Sequence, residues 1–183
     1  MRILLHICCA PCSTYSVIYL REMGFDVVGF FYNPNIYPVD ELFKRMREAE
    51  SFFSKMNLDF IYDTSGVESW YKMTEKVKDR REGGIRCNIC FAIRLDRTAR
   101  EALNRNIEYF TTTLTISPKK SSKKIFKIGN IISKKYSVKF LEVDFKKRDG
   151  FRKSCIMSKE HNLYRQNYCG CEYSYKERLV SLK

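Results

Sequence analysis

Apolar and polar positions along the chain resolve into strands and helices that alternate. Residues 3–7 (Ile-Leu-Leu-His-Ile) form a nearly continuous apolar run. Too short to cross a membrane, it has the pattern of a strand buried on both faces of a parallel sheet. Pro11 closes that run, and the spacing of Tyr15, Val17, Ile18 and Leu20 predicts a helix over 13–23 that stops at Gly24. Residues 26–32 (Asp-Val-Val-Gly-Phe-Phe-Tyr) read as a second buried strand, ended by the turn Asn33-Pro34-Asn35. An amphipathic helix is expected over 38–55, with Leu42, Met46, Ala49, Phe52 and Phe53 on one face. A short strand is expected over 58–62, then a charge-crowded helix over 67–81 that Gly83-Gly84 ends. Phe91, Ala92, Leu95, Ala99 and Leu103 describe the apolar face of a helix that begins at Arg86-Cys87. A strand over 109–114, a basic helix over 125–136 and a strand over 138–143 complete the series.

Five strands alternating with helices predict an α/β fold, a Rossmann-like three-layer domain with a mostly parallel five-stranded sheet. Residues 144–183 differ in character, with a helix expected through Cys155. They read as a C-terminal helical extension over the strand ends, covering the crevice, so that 1–183 forms one α/β domain. Open α/β sheets bind ligands beyond the carboxyl ends of their strands, and Cys8, Cys9 and Cys12 would lie there. Cys87-x-x-Cys90 opens a helix, whose unpaired N–H groups and dipole favour thiolates as ligands. Cys169-Gly170-Cys171 is a different device. One intervening glycine permits a tight, labile disulfide, and closing it releases two electrons; unlinked thiols or extra metal ligands are the alternative. Cys155 stands alone and reads as a core thiol.

Charge sharpens the picture. Lys and Arg number 34 against 21 Asp and Glu, a formal net charge of +13 that points to a polyanionic partner, nucleic acid first. A merely solvated basic surface is the plainer reading. Eight clustered cysteines without a signal peptide suit a reducing cytoplasm and metal, iron–sulfur or redox chemistry better than a secreted disulfide framework. No segment is apolar and long enough for a membrane span. There is no phosphate-binding loop with Lys-Ser/Thr, no G-x-G-x-x-G after a strand and no H-E-x-x-H, so ATP, NAD and zinc-protease readings have no motif. Two histidines exclude a histidine-rich metal site. A structural zinc built from four thiols would make the chain a zinc-stabilised nucleic-acid-binding module. Against it stand five candidate ligands, their place at the crevice, and the adjacency of Cys8 and Cys9, which favour an iron–sulfur cluster with a second metal beside it. A cluster-dependent tRNA sulfur-inserting enzyme would need an ATP-activating loop where this chain has cysteines.

In combination, His6-Ile7-Cys8-Cys9-Ala10-Pro11-Cys12, Asn33-Pro34-Asn35-Ile36, Arg86-Cys87-Asn88-Ile89-Cys90, Thr111-Thr112-Thr113-Leu114, Ser117-Pro118 and Tyr164-Arg165-Gln166-Asn167-Tyr168-Cys169-Gly170-Cys171 resemble the cobalamin-independent epoxyqueuosine reductase family over nearly the whole chain. The resemblance implies an oxidoreductase that removes the epoxide oxygen of epoxyqueuosine in the tRNA anticodon loop to give queuosine, supplied by an unidentified electron donor. It also implies a [4Fe–4S] cluster on Cys8, Cys9, Cys87 and Cys90, an adjacent mononuclear iron to which Cys12 is assigned, and a redox-active disulfide between Cys169 and Cys171. Lys119 to Lys124 and Lys146 to Arg148 would then hold tRNA phosphates, with Tyr32, Tyr37 or Tyr168 free to stack on a splayed base.

Overall fold

The computed structural model describes residues 1–181. Five parallel strands, β1 (Arg2–Ile7), β2 (Asp26–Tyr32), β3 (Phe60–Asp63), β4 (Tyr109–Thr112) and β5 (Lys139–Phe140), form one sheet in the order β3-β2-β1-β4-β5. β1 is central and hydrogen-bonds on both edges, Leu5 lying beside Gly29 of β2 and Thr111 of β4. Its two faces feed separate cores. Ile3, Leu5 and Ile7 pack with α1 (Ala10–Glu22) and α2 (Val39–Lys55), whereas Leu4 packs with α4 (Ile85–Asn104) and α5 (Ser122–Tyr136). Alternating side chains thus explain why a strand with hardly a polar residue is stable: both faces are covered. α3 (Val67–Thr74) lies against α4, and α6 (Gly150–Glu160) against α1. The last helix, α7 (Glu172–Ser181), is tied to α3 by a Tyr71–Glu172 hydrogen bond of 2.9 Å and to α4 by an Arg86–Glu177 ion pair of 3.2 Å.

Three elements depart from the sequence reading for identifiable reasons. α1 begins at Ala10 because Pro11, which closes the strand, occupies the first turn of the helix, where its missing N–H costs nothing. The helix expected over 67–81 ends at Thr74 and continues only as the 3₁₀ turn Glu75–Val77. There the Thr74 hydroxyl donates to the Trp70 carbonyl at 2.9 Å. The strand expected over 138–143 pairs only at Lys139 and Phe140. Beyond it, threonine hydroxyls replace ladder bonds: Thr111 Oγ1 donates to Leu141 O at 2.9 Å and Thr115 Oγ1 to Val143 O at 2.8 Å.

Gly150 opens α6 at a point of close approach. A Cβ there would lie 1.8 Å from the Phe145 carbonyl oxygen and 2.5 Å from the Tyr15 ring. Gly150→Ala is therefore expected to destabilise the fold by about 1–3 kcal/mol through overpacking. The urea midpoint should fall; an unchanged midpoint would contradict the tight α1–α6 seam.

Candidate metal and redox site

β1 and β4 are neighbours whose following helices pack on opposite faces of the sheet, α1 on one side and α5 on the other, with the 3₁₀ turn Thr113–Ile116 between them contributing Ile116 to one core and Leu114 to the other. That divergence opens a crevice at the strand ends. Cys8 comes directly after β1, and its N–H donates to Thr113 Oγ1 at 3.1 Å. Cys9 is the N-cap of α1, and Cys12 lies in its first turn. The three sulfur atoms lie within 4.8 Å of one another, Cys8 and Cys9 at 3.9 Å. Two further donors reach them: Thr113 Oγ1 to Cys8 Sγ at 3.3 Å and Gln166 Nε2 to Cys9 Sγ at 3.1 Å.

Cys87 and Cys90 stand in the first two turns of α4, after the Gly84 N-cap. The Gly83 N–H donates to Cys87 Sγ at 3.2 Å, and Cys90 packs with Trp70 and Cys171. The segment carrying Cys169 and Cys171 is fastened to the turn after β2. Tyr37 N–H donates to Gly170 O at 2.8 Å, and Ile36 and Cys171 form an antiparallel bridge. Arg45 Nη1 donates to Cys169 O at 3.4 Å. Gly170 has φ +123°, and a Cβ there would come within 2.9 Å of that same nitrogen, so no other residue fits between the two cysteines without moving Arg45. All eight cysteines are free thiols. A cavity of about 500 Å³ joins these parts, its wall including Cys8, Cys12, Arg94, Lys120, Gln166 and Cys169.

The electrostatics are unusual. Cys8, Cys9 and Cys12 are driven apart in acidity by their contacts with one another. Hydrogen bonds from Cys12 and Cys9 hold Cys8 well below the ordinary thiol range. A bond to Cys8, then a bond to Cys9 and burial, pushes Cys12 well above it. For Cys9 the bond with Cys12 is lowering, but the bond with Cys8 and burial prevail and push it up to about 12. Cations face these sulfurs. Arg94 is 3 % exposed and has no carboxylate partner among the described residues. Burial opposes its charge, yet Cys90, Cys169, Cys8 and Cys87 raise its pKa. Lys120 behaves alike: burial is outweighed by Cys169 and Cys8. His6 is buried between Thr112 Oγ1 at 2.8 Å and Tyr32 O at 3.1 Å, and burial together with Arg94 lowers its pKa to about 4, so it is neutral at pH 7.

Several expectations need correction. At the start of α4, burial pushes the free Cys87 thiol up and that of Cys90 to about 11. Tyr32, 7 % exposed and stacked on Phe30, belongs to the core and cannot receive a base. Lys146 is engaged internally with Thr115 O at 3.2 Å and Asp144 at 2.8 Å. Lys124 donates to Gly83 O at 2.8 Å, and Lys120 faces the thiols. Cys155 is half-buried on α6. The sequence alone does not single out Arg45, Arg94 and Gln166 as site residues. Arg94 does carry a signal: it recurs with Arg86, Cys90 and Thr98 at four-residue steps along the buried side of α4, a charge where an apolar residue would be expected.

The donors fit a soft, thiophilic metal. Cys8, Cys9 and Cys12 are close enough to share a single ion, and Cys87 and Cys90 offer further thiol donors at the start of α4. A parallel α/β sheet with thiols, not a nucleotide loop, at its switch point defines an α/β protein with a thiol-lined crevice. The family described as epoxyqueuosine reductase QueH matches residues 3–177. Curated relatives of that name include one from Streptococcus pyogenes serotype M1, 41 % identical over 98 % of this chain and 72 % of its own length. One from Thermotoga maritima is 40 % identical over 96 % of this chain and 91 % of its own. The chain belongs to the epoxyqueuosine reductase QueH family, a family of oxidoreductases. Among solved structures, one described as a predicted subunit of tRNA methyltransferase from Methanocaldococcus jannaschii superposes with a TM-score of 0.58 at 13 % identity, covering 89 % of each chain, a likeness of fold alone. No helix among the described residues is long and apolar enough to cross a membrane.

Replacing Cys87 or Cys90 by Ser exchanges a soft thiolate for a hydroxyl. Each variant, purified anaerobically, is expected to lose most of its iron and visible absorbance, whereas Cys155→Ser keeps both. Intact iron and spectrum in the first two would remove α4 from the metal site.

Proposed function

We propose that this protein reductively deoxygenates epoxyqueuosine in the anticodon loop of tRNA, using a [4Fe–4S] cluster on Cys8, Cys9, Cys87 and Cys90, a neighbouring iron to which Cys12 contributes, and Cys169 and Cys171 as a redox pair. The observation that carries this reading is the convergence of Cys8, Cys12 and Cys169 with the buried Arg94 and the half-buried Lys120 on one cavity, with Cys90 one turn from Arg94 on the same helix. In the reaction both C–O bonds of the epoxide break, a C=C bond forms and the oxygen leaves as water, which consumes two electrons and two protons. Oxidation of the Cys169/Cys171 dithiol to a disulfide releases two of each. When bound, the metal group supplies a Lewis acid for the epoxide oxygen and a store of single electrons.

The protein's own part is binding, orientation and dryness. Lys119 and Arg165 line the cavity and present positive charge to the RNA backbone. Tyr37, 37 % exposed, lies beside Tyr168, whose hydroxyl donates to the Tyr37 carbonyl, and the two provide aromatic surface at the rim. Residues 144–181 act as a cover: Gln166, Asn167, Tyr168 and Cys169 wall the cavity. They keep water from a reaction in which electrons could otherwise be lost. Ser174 supports the assignment of Cys171 as a redox thiol. Its N–H donates to Cys171 Sγ at 3.4 Å, a bond that favours the thiolate, while its hydroxyl accepts from that thiol at 3.4 Å; burial is the larger effect and pushes the thiol up. The electron donor that resets the pair belongs to the same cytoplasmic setting.

Iron and sulfide analysis of anaerobically purified protein tests the reading directly: zinc without iron would replace it with a zinc-stabilised nucleic-acid-binding module. Cys169→Ser and Cys171→Ser are expected to keep iron near normal while multiple turnover collapses. Loss of iron would make them ligands, and wild-type turnover would remove the redox role. Binding of tRNA should weaken steeply with salt, and Lys119→Glu with Lys123→Glu should flatten that slope by about one to two. An unchanged slope would place the RNA elsewhere.

A further inference from the structure

Among the described residues, Arg94 has no carboxylate paired with it. Its Nε donates to Cys90 O at 3.1 Å and its Nη1 lies 3.5 Å from Asn33 Oδ1, both neutral acceptors. Arg45 offers a contrast in the same crevice: also buried, it is paired with Glu41 at 2.7 Å. Three residues further along α4, Arg97 pairs with Asp63 at 2.9 Å and Glu101 at 2.8 Å. An isolated buried guanidinium is strongly unfavourable, and proteins keep one only where a counter-charge is bound. Sulfur surrounds Arg94: it lines the cavity with Cys8, Cys12 and Cys169, and it is one turn from Cys90 on the same helix.

Building on the function proposed above, we infer that Arg94 is the built-in counter-ion of the group the cysteines bind, and that it raises that group's reduction potential. A [4Fe–4S] cluster with four thiolates is an anion, and accepting an electron adds one negative charge to it. Attraction to a fixed cation in a low-dielectric site grows with that charge, so the cation favours the reduced form. Arg94 acts here through charge and position. It is a positioning and tuning residue, placed by its bonds to Cys90 O and Asn33 Oδ1, and its guanidinium cannot lose its proton at working pH.

The test is an EPR-monitored redox titration of anaerobically purified, cluster-loaded full-length protein. Arg94→Met and Arg94→Gln should both shift the midpoint to more negative potential. Arg94→Lys, which keeps the charge, should stay near wild type, and Arg97→Met, which removes a cation already paired with carboxylates, should not shift it. Arg94→Gln retains an amide donor for the Asn33 and Cys90 oxygens, so it reports on charge if Arg94→Met fails to accumulate. A wild-type midpoint in whichever neutral variant is recovered overturns the inference. So does a shift in Arg94→Lys as large as that in the neutral variant, which would assign the effect to packing. If neither neutral variant retains a cluster, Arg94→Lys decides: near-normal iron and midpoint support the charge requirement, and loss of the cluster there as well overturns it. Wild-type protein with no iron–sulfur signal would instead sink the proposed function, an outcome distinct from a cluster whose potential ignores residue 94.

Discussion

The site depends on β1 being buried on every side. With neighbours on both edges and helices on both faces, the strand has one place to release the chain, at Ile7, and the residues after it must occupy the gap beside β4. In nucleotide-binding sheets that gap is filled by a glycine loop whose N–H groups meet phosphate. Here the helix starts at once, with Cys9 as its cap and Pro11 in its first turn, so the gap is filled by sulfur. β4 completes it from the other side, since Thr113 both accepts from the Cys8 amide and donates to its sulfur.

Charge balance then governs the crevice. Arg94, Lys120 and Arg45 bring positive charge into a poorly hydrated space, and of these Arg45 carries its own carboxylate. The free thiols are poor partners for these cations, because burial pushes Cys90 to about 11, and for Cys9 the lowering bond with Cys12 is outweighed by the bond with Cys8 and by burial, which push it to about 12. On the proposed function, a metal group of net negative charge held by deprotonated thiols would answer the buried guanidinium. Metal loading and fold stability should be coupled for the same reason.

The sheet was legible in the sequence because parallel strands are written as unbroken apolar runs, as at 3–7 and 26–32. The last strand was legible too, but its extent was not, since its outer half is held by the hydroxyls of Thr111 and Thr115, and side-chain bonds of that kind leave no periodic trace. Cysteines announced the thiol groups by spacing. Their surroundings were hidden for another reason: Gln166 reaches Cys9, and Arg45 reaches Cys169, across separations in sequence that only the folded chain closes. Basic residues misled in the opposite sense. Lys146 and Lys124 read as surface charge but donate to protein oxygens, so part of the charge excess braces the loops around the crevice.

The parts of the site differ in how much of the fold must exist before they meet. Cys8, Cys9 and Cys12 belong to a single strand–helix junction and are close neighbours as soon as β1 and α1 form. Cys87 and Cys90 join only when α4 covers the second face of the sheet. Cys169 and Cys171 come last, since their segment is held by the Ile36–Cys171 bridge, the Tyr37–Gly170 hydrogen bond and Arg45, all of which need β2 and α2 already in place. The contacts that hold this segment join residues far apart in sequence, while those that form the crevice floor are the core of the domain. On the proposed function, Cys169 and Cys171 would have to meet both a bulky RNA and an external reductant, and a segment seated on the floor rather than built into it would let them do so without unfolding the core.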